Sequence, residues 1–265
     1  MLAEHDRQPF DQGMTFYRKI EAVLFIGAAM LVATCCSGEQ PPGAATPAPA
    51  NPQTYLAGVC AELAKSWPTN RTVNIVCHGH SVPAGYFKTP EVRMFDAYPS
   101  LLHRGLCDRF PHAVINVIVT GIGGENSESG AERFQRDVLA LRPDVVTIDY
   151  ALNDRAIGLA RAGKAWRTMI EMALAQKVKV ILLTPTADLT AQLENPDDPL
   201  LQHAEQIRRL AREYQVGLVD SLAQFQEVVR SGGKLSDFMA QGNHPNRKGH
   251  ELVANELLKW FPASQ

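Results

Sequence analysis

Neither sign of charge is in excess in this 265-residue chain: 26 Lys and Arg stand against 28 Asp and Glu, for a formal net charge of −2. Without a basic field nothing draws the chain onto nucleic acid or acidic lipid, so nucleic acid is not an expected partner. No repeat with a period of about 20 to 50 residues occurs, which excludes a solenoid or a propeller. Cysteine is scarce, with five in all, and no spacing among them resembles a zinc site. No long apolar stretch beyond residue 54 looks like a lipid lid. What is present suffices for one catalytic-size domain: 45% of the residues are apolar, with no compositional mark of disorder.

The first fifty or so residues differ in composition from the rest and are set aside as an export signal followed by a tether. Arg18 and Lys19 supply a positive start, the apolar run 22–33 is too short to span a bilayer comfortably, and Val32-Ala33-Thr34-Cys35 closes it. This order resembles a bacterial lipoprotein signal peptide over residues 1–35, in which Cys35 would be lipidated after cleavage. Thr34 departs from the Gly, Ala or Ser usual at that place and Cys36 adjoins it, so plain secretion and an uncleaved anchor are alternatives; Met14 also opens a complete signal. Residues 36–53, rich in Pro and Ala, lack large apolar side chains and read as an extended spacer. The expected location is outside the cytoplasm, in the periplasm or on the cell envelope, with a membrane reached through the N-terminal anchor or lipid alone. The folded domain is expected over 54–265. It holds Cys60, Cys77 and Cys107, and export permits a disulfide whose pairing the sequence does not reveal.

Within the domain, short β-branched runs alternate with longer helical patterns, the signature of a parallel sheet covered by helices on both faces. Strands are expected at 73–77, 114–119, 145–149, 178–184 and 216–219, each nearly all apolar, as doubly buried strands require. Helices are expected at 55–67, 97–109, 131–141, 156–176, 201–214 and 249–260. The fold class that follows is α/β, a flavodoxin-like three-layer sandwich around a five-stranded parallel sheet. Ligands of such sheets bind beyond the carboxyl ends of the strands.

Residues with chemistry stand at those ends. The first strand runs into His78-Gly79-His80-Ser81, a turn where glycine lets the backbone bend and expose a hydroxyl, although many serines at such places simply cap a helix. A serine hydroxyl is nucleophilic when a base takes its proton during attack. The second strand ends in Gly121-Ile122-Gly123-Gly124-Glu125-Asn126, whose amides can face a developing negative charge or merely form a tight turn. The third ends in Asn153-Asp154, an amide donor at the same edge and also an ordinary helix start. Near the C-terminus His244 precedes Pro245, which restrains the backbone beside a side chain well suited to general-base work.

Ser, Gly, Asn and His in this chain order resemble the GDSL/SGNH hydrolases, an esterase and lipase superfamily, over about 200 residues. The resemblance implies Ser81 as nucleophile and His244 as base, with the backbone N–H groups of Ser81 and Gly124 and the side chain of Asn153 as the oxyanion hole. It implies a carboxylic ester hydrolase working through a Ser81 acyl-enzyme, on small-molecule or polysaccharide esters, with short acyl groups such as acetyl favoured, and with no metal or other cofactor. Three positions depart from the family pattern. His80 stands where the GDSL block has Asp, and Ala151 where the third block usually has Gly; both look structural. Gln241 occupies the place of the aspartate that normally precedes the histidine by three residues, so a Ser–His dyad is expected, assisted by Gln241 or Asp237.

Other readings compete. His78, His80, Asp149, Asp154, His244 and His250 offer imidazoles and carboxylates that suit zinc. The altered acid position also fits a weakly active glycan-binding surface lipoprotein, and the same chemistry serves an O-acyltransferase. Tyr86, Phe87 and Tyr150 are candidates to line a pocket, and Arg155 to contact a polar substrate.

Overall fold

Runs of β-branched and aliphatic residues build the centre of the molecule, in a computed structural model that describes residues 47–263. The expected signal, most of the spacer and Cys35 lie outside the described residues. In chain order the elements are α1 (Ala57–Leu63), β1 (Thr72–Gly79), α2 (Ser81–Ala84), α3 (Tyr98–Arg109), β2 (Val114–Val119), α4 (Ser127–Asp137), β3 (Val145–Asp149), α5 (Ala151–Asp154) and α6 (Gly158–Ala175). They continue with β4 (Lys179–Leu183), α7 (Pro199–Tyr214), β5 (Gly217–Val219), α8 (Ser221–Arg230), β6 (Met239–Gln241), β7 (His244–Pro245) and α9 (Arg247–Leu258). All pairings in the sheet are parallel and its order is β2-β1-β3-β4-β5, so the expected flavodoxin-like α/β class holds.

Side chains alternate across the sheet, and each face has its own core. Val73, Ile75 and Cys77 of β1 pack with Tyr98, Leu102 and Leu106 of α3 and with Val253 and Leu257 of α9. Val76, Val146, Ile148 and Val180 face the other way, onto Phe134 of α4 and Trp166, Met169 and Ile170 of α6. Burying each such side chain is worth roughly 1.5–3 kcal/mol, which is why doubly covered strands read as nearly unbroken apolar runs.

The strands match their expected positions to within a residue or two, whereas helix starts move. The helix expected at 131–141 begins at Ser127, because the Asn126 side chain accepts hydrogen bonds from the Glu128 and Ser129 amides, and it gives way to a 3₁₀ turn at Leu139–Leu141. Helix α7 starts at Pro199 because Asp198 caps it. Helix α8 was not expected; Asp220 caps it, and Leu222 and Phe225 bury one face. Packing also begins upstream of Thr54, since the Ala50 amide donates to the Val216 carbonyl at 3.1 Å. Cys60, Cys77 and Cys107 are all free thiols.

Candidate active site

The chain leaves β1 for β2 on one side of it and later returns through β3 on the other, so the carboxyl ends of β1 and β3 border the crevice where the strand order reverses. Ser81 opens α2 directly after β1. Gly79 lies opposite Asp149 in the register, and a Cβ on Gly79 would sit 2.5 Å from the Asp149 carbonyl oxygen and 2.7 Å from Pro83. Glycine there lets β1 and β3 close up behind the serine.

His244 arrives from far along the chain. A short antiparallel pair, β6 with β7, holds it just before α9, which Asn246 caps through the Gly249 amide. Its Nε2 lies 2.9 Å from Ser81 Oγ, with both residues buried. Burial lowers the His244 pKa below the ordinary value, as a positive charge on the neighbouring His80 also would, against the pull of the Phe87 carbonyl, so the ring is a neutral acceptor at neutral pH. Its Nδ1 is buried and has no hydrogen-bond partner among the described residues; the Phe87 carbonyl favours the charged ring without reaching bonding geometry.

Neither expected assistant reaches that nitrogen. Gln241 pairs with His244 across the β6–β7 register, but its Oε1 accepts from the Thr89 amide at 2.8 Å and its Nε2 donates to Thr89 Oγ1 and Asn243 Oδ1, each at 3.3 Å. Asp237 sits exposed on a 3₁₀ turn, where its carbonyl accepts from Asn246 Nδ2. The amide of Gln241 is therefore spent on the loop that carries Phe87, and His244 meets Ser81 without a carboxylate at its back.

Two donors converge on the same edge. Asn153, on α5, gives one Nδ2 proton to the Glu125 carbonyl at 2.9 Å. Its second amide proton has no acceptor among the described residues. Gly124 has φ +78°, a left-handed conformation that favours glycine, and among the described residues its N–H has no backbone acceptor. The loop that presents it is anchored from below. Glu125 accepts from Arg133 Nε at 2.8 Å and from the Tyr150 hydroxyl at 2.8 Å, and Arg133 also donates to the Thr120 carbonyl at 2.6 Å.

Three residues of the metal reading, His78, Asp154 and His250, are each engaged by separate partners. His78 contacts Thr120 Oγ1, the Gly130 carbonyl and the Tyr150 hydroxyl, and burial pushes its pKa down to about 3. Asp154 accepts from the Ser127 amide at 2.8 Å and Trp166 Nε1 at 2.7 Å. His250 Nδ1 accepts from the Tyr98 amide at 3.3 Å. Among the described residues no group of three His, Cys, Asp or Glu is arranged to hold a metal ion. A surface cavity of 690 Å³, lined by α6 and α7 residues such as Arg167 and Glu213, includes none of Ser81, Asn153 and His244.

Residues 77–252 match the GDSL-like lipase/acylhydrolase family. The chain belongs to that family. No curated protein matches it in sequence. Its fold is shared with Axe2, an acetylxylan esterase from Geobacillus stearothermophilus, at 21% identity and a TM-score of 0.62, over 75% of this chain and 95% of that one. Catalytic mutants of Axe2 include substitutions at a serine, an aspartate and a histidine. A two-domain esterase active on acetylated mannans, co-crystallised with mannopentaose, is similar at 23% identity and a TM-score of 0.64, over 81% of this chain and 54% of that one.

Against the GDSL-like pattern, sequence reasoning missed the Glu125–Arg133–Tyr150 network. Tyr150, considered for the pocket wall, is wholly buried and bonded to Glu125 and Arg133. The adjacency of Gly124 and Glu125 and the Arg on the following helix were the available signal. Tyr86 does border the site, with its ring centroid 5.9 Å from that of His244 and its hydroxyl end against Gly123. Phe87 stacks under the Arg93 guanidinium at 3.7 Å, and Arg155 is paired with Asp188 at 2.7 Å.

Proposed function

We propose that this GDSL-like hydrolase is a serine esterase that removes short acyl groups, acetyl in particular, from carbohydrate. The observation that carries the reading is the 2.9 Å approach of His244 Nε2 to Ser81 Oγ, with unengaged donors of Gly124 and Asn153 at the ends of the neighbouring strands. As Oγ attacks the ester carbonyl, its proton passes to His244 Nε2 and the carbonyl oxygen takes up charge facing the Ser81 and Gly124 amides and Asn153 Nδ2. The tetrahedral species collapses, His244 returns the proton to the leaving alcohol, and an acyl-Ser81 ester remains. Water then repeats the sequence, losing its proton to His244 and releasing acid and free Ser81.

The substrate class rests on three supports. Family membership makes the chain an acylhydrolase. Solved structures sharing its fold act on acetylated xylan and acetylated mannan. Tyr86, wedged between Gly123 and His244, narrows the space beside the serine and suits a small acyl group. Export, with Cys35 lipidated or the signal otherwise processed, is part of the same proposal, since such polysaccharides lie outside the cytoplasm; Cys35→Ala should release the protein from the membrane fraction if lipid holds it there.

The test is a series of p-nitrophenyl esters of rising chain length together with acetylated xylan and mannan, run with wild type and Ser81→Ala. Acetate release by wild type, falling off with chain length and lost in Ser81→Ala, is expected. Equal rates for the two proteins would remove Ser81 from the mechanism.

A further inference from the structure

A second imidazole touches the same oxygen as His244. His80 Nδ1 lies 3.4 Å from Ser81 Oγ and accepts the Val82 amide proton at 3.2 Å, thereby capping α2. A nitrogen that accepts from an N–H carries no proton of its own, so the His80 proton sits on Nε2. That nitrogen faces Asp149 Oδ1 at 3.6 Å, and the two side chains are 1% and 2% exposed. Neither atom has a hydrogen-bond partner among the described residues. Buried polar atoms without partners cost roughly 1–3 kcal/mol each, and here an N–H donor and a carboxylate acceptor face one another.

The pairing follows from local structure. Asp149 ends β3 opposite Gly79, one residue before His80, and the absent Gly79 side chain lets the two backbones close up there. Asp149 lies on the sheet face that also carries Cys77 of β1, with Tyr98 of α3 packed over it. Burial and then the Asp149 charge push the Tyr98 phenol well above its usual range. Burial likewise raises the Cys77 thiol to about 12, and Asp149 contributes to that rise. Across Ser81 stands His244, the Tyr150 ring centroid lies 6.3 Å from that of His80, and Asp154 of α5 is also close enough to feel the His80 charge.

We propose that Asp149 and His80 supply, from behind Ser81, the negative potential that the structure does not place behind His244. Asp149 holds His80 as the Nε2–H tautomer; the Nδ1 lone pair and the carboxylate behind it then turn their negative side toward Ser81 and His244. Positive charge grows on His244 when the Ser81 proton reaches its Nε2, and that is the charge the pair offsets. No proton passes to His80 or Asp149. His80 touches the reacting oxygen, and Asp149 is a positioning residue acting through it. The inference rests on Ser81 being the nucleophile.

Three measurements test it. The rate at which a p-nitrophenyl phosphonate labels Ser81 reads nucleophile reactivity whatever the natural ester is. Asp149→Asn should lower that rate and kcat about 10- to 100-fold, less than the ~10⁴ for an acid bonded directly to the base, with KM unchanged. Removing negative charge also lowers the kinetic pKa of His244, so the acidic limb of the pH profile should move to lower pH. His80→Asp should be poor because it sets two buried carboxylates together, and combining it with Asp149→Asn should recover at least about tenfold. If His80→Asp alone matches the combined variant, the coupling is refuted. Wild type itself, ¹⁵N-labelled at histidine, should show His80 as the Nε2–H tautomer by NMR; the Nδ1–H tautomer overturns the inference with no variant needed. Wild type that resists phosphonylation at Ser81 brings down the esterase reading and this inference together. Wild type that labels normally, with Asp149→Asn unchanged in rate and pH profile, brings down the inference alone.

Discussion

Replacing Asn153 by alanine separates the two jobs its amide performs. One Nδ2 proton ties α5 to the Glu125 carbonyl at 2.9 Å, and the other is unengaged at the strand edge where the oxyanion would form. The first bond is half-buried and neutral, so its loss costs about 1 kcal/mol of stability. A domain stable by roughly 5–15 kcal/mol stays folded after that loss, so activity is not lost through unfolding. The second proton acts in the transition state. Its loss should reduce kcat by about 10²–10³, equivalent to ~2.7–4 kcal/mol, while KM stays near its wild-type value. Asn153→Asp keeps the shape but turns a carboxylate oxygen toward the Glu125 carbonyl, so it should lose as much activity and more stability. Initial rates on p-nitrophenyl acetate, with urea unfolding of the same preparations, resolve the two effects. A kcat for Asn153→Ala within about threefold of wild type would refute the oxyanion role, because losing one preorganised donor typically costs about 10²–10³.

Other outcomes follow from the same geometry. Gly79→Ala places a methyl 2.5 Å from the Asp149 carbonyl oxygen, so it should cost about 1–3 kcal/mol of stability and, by displacing Ser81, up to ~10² in rate; wild-type thermal unfolding and turnover would contradict the close-packing argument. Because Gln241 bonds Thr89 and not the imidazole, Gln241→Ala should leave the pH–rate profile in place, and a moved profile would show that it assists His244 after all. Burial lowers both His78 and His250 to about 3, so both stay neutral in the fold while unfolded histidines protonate. Their contribution to stability is thus complete above about pH 6.5 and is lost as pH falls toward 3, at up to about 1.4 kcal/mol per pH unit each. Urea midpoints that do not fall between about pH 7 and 5 would contradict this.

Much of the molecule is legible in the one-dimensional pattern, and the reason is local. Strands buried on both faces must be apolar throughout, so β1 to β5 announce themselves by composition. Helix starts were harder, because a cap such as Asn126 or Asp198 acts through a side chain bonding an amide two residues on, with no hydrophobic period to mark it. The hairpin of β6 and β7 is too short to leave a pattern at all, yet it delivers His244. Ser81, Asn153 and His244 stood out because each is a polar residue at the end of an apolar strand or beside a proline.

By itself the sequence determined the α/β class, the chain order of the chemistry-bearing residues, and the vacancy where an aspartate would precede His244. Tertiary structure alone decided what stands around them. Whether Gln241 turned toward the imidazole or toward Thr89 depended on a loop more than a hundred residues away in sequence. The meeting of Glu125, Arg133 and Tyr150 needed α4 laid across the sheet. The approach of Asp149 to His80 needed the parallel register of β1 on β3, with glycine opposite the carboxylate-bearing residue. Local propensity follows from each residue's own covalent chemistry, but register and side-chain direction follow from the packing of distant segments, and the electrostatics of the candidate site depend on the second.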